Sequence, residues 1–372
     1  MPRLGLLSTY PPTECGLATF NAALWEQLRR TGDVGVVRVV DEPSTHPGRE
    51  VVAHLVNGSV DSARRAVGYL NSFDAVVVQH EYGIFGGPDG CDVLEVLDAL
   101  TVPTLVVLHT VLQEPTPRQR QILLRVLAAA DVAVTMTETA RQRVVDVYGA
   151  DPASVITIPH GAIEHGVLRT ARAADARPVV LTWGLLGPGK GIEWAIEAMP
   201  GLRDLDPRYL VVGKTHPKVL ERHGDAYRDG LLRRVEELGV ADLVELDPSY
   251  LSVPALAKLV VQADVVLLPY DSREQVTSGV LIEAIAAGRP VVSTSFPHAV
   301  ELLAGGAGLV VPQGDPGALE QALRRVLSEP DLAAGMAAQA SRQAPELFWG
   351  AVAARYRAVA KGLVAAGLAT AS

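Results

Sequence analysis

Short β-branched apolar runs alternate with amphipathic stretches rich in Ala, Leu and Arg along the whole chain, and this alternation limits the fold more than any other feature. Strand-like runs fall at Leu4–Ser8, Val36–Val40, Ala75–Gln79, Thr104–His109, Val132–Thr135 and Val155–Ile158. A second series follows at Val179–Trp183, Tyr209–Val212, Leu243–Leu246, Val265–Leu268, Val291–Ser293 and Gly308–Val311. Runs this apolar must be buried on both faces, as happens in parallel sheets flanked by helices. Helical spacing lies between them at Thr19–Arg30, Ser62–Asn71, Thr116–Ala129, Thr139–Val147, Glu193–Met199, Ala226–Leu238, Val253–Gln262, Val280–Ala287 and Pro316–Ser328. The expected class is α/β.

The two strand series are separated by Ile163–Pro178 (IEHGVLRTARAADARP), which has no sheet period and reads as an interdomain linker. A chain of 372 residues suits two domains of roughly 150–200 residues each. The expected division is 1–165 and 166–345, with a closing segment 346–372. Within that segment Leu347–Leu368 reads as a helix that can pack back on the first domain. Hydrophobic residues at 48% and charged ones at 20% supply two cores.

A formal net charge of -9 argues against a nucleic-acid partner, because neutralising phosphates needs a basic surface. It also disfavours broad attachment to anionic lipid. The run Arg118–Arg125 (RQRQILLR) leaves room for at most a peripheral membrane contact, or is simply a solvated helix face. Cys15 and Cys91 lie far apart with no CxxC spacing, so neither a disulfide framework nor a thiolate metal site is expected. The opening MPRLGLLSTYPP reads as a first strand rather than a signal peptide. No apolar run reaches the length of about 18 residues that a membrane span needs. The expected location is cytoplasmic.

Open α/β sheets bind ligands beyond the carboxyl ends of their strands, and several segments there are chemically unusual. After the first strand, Pro11–Phe20 (PPTECGLATF) brings Gly16 to a helix start, where amide groups and the helix dipole attract an anion. After the third, Gln79–Gly90 (QHEYGIFGGPDG) carries His80, Glu81 and Tyr82 among four glycines. After the fourth stands His109. Each histidine is either a structural hydrogen-bonder or a donor to a sugar hydroxyl. In the second half, Thr182–Gly191 (TWGLLGPGKG) sets Lys190 beside backbone amides at a helix start, a fit for pyrophosphate, without Walker A spacing. Gly213–Pro217 (GKTHP) offers Lys214, otherwise an exposed loop lysine. Pro269–Pro290 (PYDSREQVTSGVLIEAIAAGRP) ends in a helix apolar except for Glu283. A carboxylate there needs a partner, and a ribose diol can supply two hydrogen bonds. Thr277, Ser278, Gly279 and Val280 present hydroxyls and amides at that helix's N-terminus.

These motifs resemble the retaining glycosyltransferases of the large GT4 family, which have the GT-B fold. The resemblance rests on the glycine loop after the first strand, GLLGPGKG and QVTSGVLIEAIAAGRPVV, and covers nearly the whole chain. It implies two Rossmann-like domains facing across a cleft, the first binding acceptor and the second a nucleotide-sugar. The family carries two glutamates eight positions apart in the last motif. The later one, which binds ribose, matches Glu283. The earlier one, which contacts the donor sugar, is replaced by Gln275. The arginine that usually precedes the lysine is replaced by Leu185, while Lys190 matches. Lys214 and Arg273 are candidates to replace that arginine. His109 matches the family histidine close to the transferred sugar, and Glu301 resembles its acidic residue after the next strand.

The implied activity is metal-independent hexosyl transfer with retention, from a nucleotide diphosphate sugar to a carbohydrate or other hydroxyl acceptor. It implies His109, Lys190 and Gln275 at the reacting centre. Donor binding falls to Gly16, Lys190, Lys214, Ser278, Gly279, Val280 and Glu283, and acceptor binding to His80, Glu81 and Tyr82. No cofactor is expected beyond the nucleotide-sugar itself, GDP-mannose first and a UDP-hexose next by family analogy. Two other readings stay open, a nucleotide-sugar epimerase of the same fold and, through the absent Glu and Arg, a non-catalytic nucleotide-sugar-binding relative.

Overall fold

Each of the twelve strand-like runs falls on a strand in the computed structural model, which describes residues 1–43, 48–164 and 176–370. Its elements divide into two compact units, 1–161 with 349–372, and 162–348. Most of the linker Ile163–Pro178 lies outside the described residues. The chain changes unit after Gly161 and again after Phe348, so the second unit extends a few residues beyond both ends of the 166–345 span expected from sequence.

The first unit holds β1 (Leu4–Ser8), α1 (Gly16–Leu28), β2 (Val34–Val40), β3 (Val51–Val56), α2 (Val60–Leu70), β4 (Ala75–His80), α3 (Val93–Ala99), β5 (Thr104–Leu108), α4 (Pro117–Ala129), β6 (Val132–Thr135), α5 (Glu138–Tyr148) and β7 (Val155–Thr157). Its seven strands are parallel in the order β3-β2-β1-β4-β5-β6-β7. β1, β4 and β5 are buried along their whole length, as their unbroken apolar runs require. β3 was not foreseen. It is an edge strand whose residues are only partly buried, so VVAHLV lacks the continuous apolar signal of its neighbours.

The second unit holds β8 (Val179–Trp183), α6 (Ile192–Ala198), β9 (Arg208–Val212), α7 (Pro217–His223), α8 (Ala226–Glu237), β10 (Val244–Asp247), α9 (Val253–Gln262), β11 (Val265–Leu268), α10 (Gly279–Ala286), β12 (Val291–Thr294), α11 (Pro297–Leu303), β13 (Gly308–Val311), α12 (Pro316–Ser328) and α13 (Pro330–Leu347). Its six strands are also parallel, ordered β10-β9-β8-β11-β12-β13. One apolar core lies between the sheet and α6, α8 and α12. The other lies between the sheet and α9, α10, α11 and α13.

The closing helix α14 (Trp349–Thr370) returns to the first unit and packs on α1. The expected helix Leu347–Leu368 is therefore the end of α13 and the body of α14, broken at Phe348, whose backbone is extended (φ -66, ψ 140). Each sheet reverses its strand order once, between β1 and β4 and between β8 and β11. Doubly wound sheets open a crevice at such points.

Candidate functional site

At the reversal in the second unit, the loop after β8 is folded against the loop after β11 by glycines that nothing larger could replace. Gly191 has a left-handed backbone (φ 61), and a Cβ there would sit 1.8 Å from the Pro269 carbonyl oxygen. Gly213 (φ 147) would place a Cβ 1.8 Å from the Gly184 carbonyl oxygen. The Asp271 amide donates to the Gly189 carbonyl at 3.0 Å, and Leu186 pairs with the segment Lys214–His216. Lys190 is thereby fixed beside β11, its Nζ 4.2 Å from the centroid of the Tyr270 ring. That ring is 1% exposed and stacks on Phe296 at 5.1 Å.

The start of α10 belongs to the same place. A Cβ on Gly184 would lie 3.8 Å from Val280 Cγ2. Ser278 caps the helix, its Oγ accepting from the Leu281 amide at 3.3 Å. Its own amide donates to His298 Nδ1 at 2.8 Å. Gly279 and Val280, the first two helical residues, carry amides that α10 itself leaves unpaired. Glu283 stands one turn further on, half-buried and apart from the apolar remainder of the helix. Gln275 turns its Nε2 back to the Thr277 carbonyl at 3.2 Å. Lys214 is exposed, its ammonium 5.6 Å from the Tyr250 ring, and Arg273 is exposed on the loop. The structure thus sets the Lys190 loop, through Gly184, beside Val280 at the start of α10, with Ser278 and Gly279 just before it and Glu283 one turn on. Lys214 reaches that loop through its backbone, and Glu301 lies exposed on α11.

The first unit gathers three histidines at the carboxyl edge of its sheet. His80 ends β4, His109 follows β5 and His160 follows β7. His109 Nε2 is 2.7 Å from Gln79 Oε1. Phe20 sits among them, its ring 4.9 Å from His109, 5.0 Å from His160 and 4.9 Å from Trp349, all edge-on. Burial pushes His80 down to about 4 and His160 to about 4. Burial, helped by His160 and His80, pushes His109 down to about 3. All three are neutral near pH 7, so His109 can donate or accept a hydrogen bond but cannot act as a charged acid.

The residues expected to meet an acceptor differ in placement. His80 is 1% exposed, with its ring 5.2 Å from that of Tyr82. Glu81 accepts a 2.6 Å hydrogen bond from Thr110. The Tyr82 hydroxyl donates to the Gln119 carbonyl at 3.3 Å. Gly16 opens α1 with open space around its Cβ position, so packing does not demand a glycine there. Sequence reasoning missed Gln79, His160 and Tyr270. His160, in IPHG just past a strand, stood where a search of strand ends finds it. Tyr270 and Gln79 matter only through contacts between distant segments. Among the described residues, no group of three or more His, Cys, Asp or Glu is placed to hold a metal ion. No described helix is long and apolar enough to cross a membrane.

Residues 177–329 match the family model described as glycosyl transferases group 1. The D-inositol 3-phosphate glycosyltransferase of Kineococcus radiotolerans is 31% identical over 254 residues, 62% of this chain and 56% of its own length. That of Geodermatophilus obscurus is 29% identical over 305 residues, 72% of this chain and 64% of its own. The chain spans about half the length of the first curated relatives it matches. Among solved structures, Anabaena HepE in complex with UDP and glucose aligns with a TM-score of 0.78 at 15% identity, over 97% of this chain and 100% of HepE. Sucrose-phosphate synthase from Thermosynechococcus elongatus aligns with a TM-score of 0.76 at 19% identity, over 98% and 100%. At these identities the likeness is one of fold, the GT-B fold with its two Rossmann-like domains.

Proposed function

We propose that this chain, which belongs to the group 1 glycosyltransferases through its residues 177–329, transfers a hexose with retention from a nucleotide diphosphate sugar to a hydroxyl acceptor. The observation that carries this reading is the convergence of Lys190 and the first turn of α10 at the strand-order reversal of the second unit. A fixed ammonium and two helix-end amides suit the charge that grows on a departing diphosphate. Glu283 stands one turn along to accept from the ribose hydroxyls.

In this reaction the acceptor hydroxyl attacks the anomeric carbon from the face the nucleotide leaves. The bond from that carbon to the β-phosphate oxygen breaks, and the departing oxygen takes the hydroxyl proton. Catalysis is then placement and charge stabilisation. His109, neutral and anchored by Gln79, orients the sugar through a hydrogen bond. Gln275 contacts it without charge, in the position where the family has a carboxylate.

HepE binds UDP and glucose, which favours a UDP-hexose over the GDP-mannose that family analogy places first. The acceptor named for the curated relatives is D-inositol 3-phosphate, so a phosphorylated polyol is the first to try. The test is thermal stabilisation by GDP, UDP, ADP and their hexose conjugates, followed by assay of each conjugate for nucleotide release and for a larger glycosylated product. Stabilisation by one diphosphate, with product formed only when acceptor is added, supports the transferase. Isomerised sugar without acceptor means an epimerase. Nucleotide binding without turnover means a binding relative, and no binding at all removes the reading of Lys190 and Glu283.

A further inference from the structure

Three neighbouring strands of the first unit carry a row of polar side chains that the reaction above leaves unused. Ser8 on β1 pairs in register with Arg38 on β2, and Arg38 with His54 on β3. Residues in register on parallel strands project from the same face. Cβ atoms on Gly5 and Gly35 would approach Phe73, just after α2, at 2.8 and 2.6 Å. Ser8 and Arg38, three residues further along each strand, therefore lie on the opposite face. The row stands near the carboxyl ends of β2 and β3, where such sheets bind ligands.

Its members are poorly satisfied. Ser8 is fully buried and its Oγ has no hydrogen-bond partner. Arg38 is 7% exposed, its Nε is buried without a partner, and His54 Nε2 is in the same state. Among the described residues Arg38 makes one hydrogen bond, from Nη2 to Thr13 Oγ1 at 2.9 Å, and no ion pair. A guanidinium keeps its charge when buried, and a buried charge without a counter-charge is costly. Unpaired donors of this kind, at a ligand-binding edge, point to an anion that completes them.

We propose that Arg38, His54 and Ser8, roofed by Thr13, form an oxyanion site that holds a phosphate monoester on the acceptor. The assignment rests on the transferase reading for the word acceptor alone. The second unit already offers Lys190 and the α10 amides to the donor diphosphate, with Gly16 its expected contact in the first unit, so the separate row on β1, β2 and β3 is assigned to the other substrate. Arg38 supplies charge and a planar fork of donors, the geometry that phosphate oxygens match. His54 and Ser8 supply single hydrogen bonds on either side of it. The transferred sugar then goes to a hydroxyl of the same phosphorylated molecule.

The test is calorimetric titration of the full chain with inorganic phosphate, D-inositol 3-phosphate and UDP, together with melting temperatures. Wild type is expected to bind both phosphates. Arg38→Met should lose about tenfold or more of that affinity while keeping its affinity for UDP. Without phosphate it should melt no lower than wild type, because it removes an unpaired buried charge. A purely structural pin between β2 and the Thr13 loop predicts the reverse, a lower melting temperature with unchanged phosphate affinity. Should Arg38→Met not fold, His54→Gln and Arg38→Lys replace it, each expected to weaken phosphate several-fold. Phosphate binding that is absent in wild type or unchanged in the variants overturns the site. Equal loss of UDP affinity reassigns it to the donor and also overturns the proposal. Failure of wild type to bind any nucleotide speaks against the transferase reading, and the phosphate titration is independent of it.

Discussion

The ammonium of Lys190 rests 4.2 Å from the centre of the Tyr270 ring, on a loop whose Gly189 carbonyl accepts from the Asp271 amide just past β11. Contacts of this type contribute about 0.5–2 kcal/mol, more when shielded from water. Tyr270 has a buried hydroxyl without a partner, so its ring rather than its oxygen is the useful part. Tyr270→Phe should therefore leave diphosphate affinity and kcat near wild type. Tyr270→Leu should weaken diphosphate binding several-fold, and Lys190→Ala should lower kcat by about a hundredfold. In the Lys190→Ala background the Leu substitution should add nothing further. Calorimetry with the diphosphate, combined with steady-state kinetics, checks all four variants, and additive losses would show that the ring acts by another route.

Glu283 is expected to act on the nucleoside rather than on the bond that breaks. Glu283→Ala should raise KM for the donor by about tenfold, the worth of one or two hydrogen bonds to a charged acceptor. Its kcat should change little. A 2′,3′-dideoxy nucleotide should bind wild type and variant alike, because it lacks the diol. Loss of kcat without a change in KM would place the carboxylate elsewhere in the reaction.

The features legible in the sequence are those encoded locally. The central strands announced themselves because a parallel sheet buries both of their faces. The Lys190 loop and the α10 cap are compact motifs with glycine, lysine and hydroxyl residues in fixed order. β3 escaped because an edge strand, half in water, has no need of a continuous apolar run. α13 escaped because its inward positions include alanines, which give a weak apolar stripe, whereas the next helix, expected from Leu347, begins at Trp349 just past the extended backbone of Phe348. The pairings of Lys190 with Tyr270 and of His109 with Gln79 join segments that meet only through the sheet order. No spacing rule within one segment can reveal them.

His80 should make the fold acid-sensitive. Its imidazole is 1% exposed, and burial takes it from 6.5 down to about 4. Between those values the unfolded chain binds a proton that the folded chain refuses. The stabilisation is thus complete above pH 6.5 and is lost as pH falls toward 4. One proton corresponds to about 1.4 kcal/mol per pH unit. His109 and His160 are shifted in the same direction. Denaturant unfolding followed across this range should show stability rising with pH, and His80→Gln should reduce the slope by about one proton. An unchanged slope in that variant would mean that His80 is protonated in the folded chain.

Gln79 determines what His109 can do. Its side chain is fully buried, and its Oε1 lies 2.7 Å from His109 Nε2 while its Nε2 has no partner. A neutral amide accepts from the imidazole without favouring its protonation, consistent with His109 being pushed down to about 3. Wild-type kcat should therefore show no titration of His109 between about pH 5 and 8. Gln79→Leu should lower kcat by about tenfold through loss of the hydrogen bond that orients the ring, with donor KM little changed. Gln79→Glu places a carboxylate against the same nitrogen, which stabilises the imidazolium and raises its pKa. A histidine titration should then enter the kcat profile, with activity falling toward acid pH as His109 takes up the proton. Profiles of the three proteins in one buffer series decide the matter. A flat profile for Gln79→Glu, with wild-type rates, would show that the pair does not govern the reacting sugar.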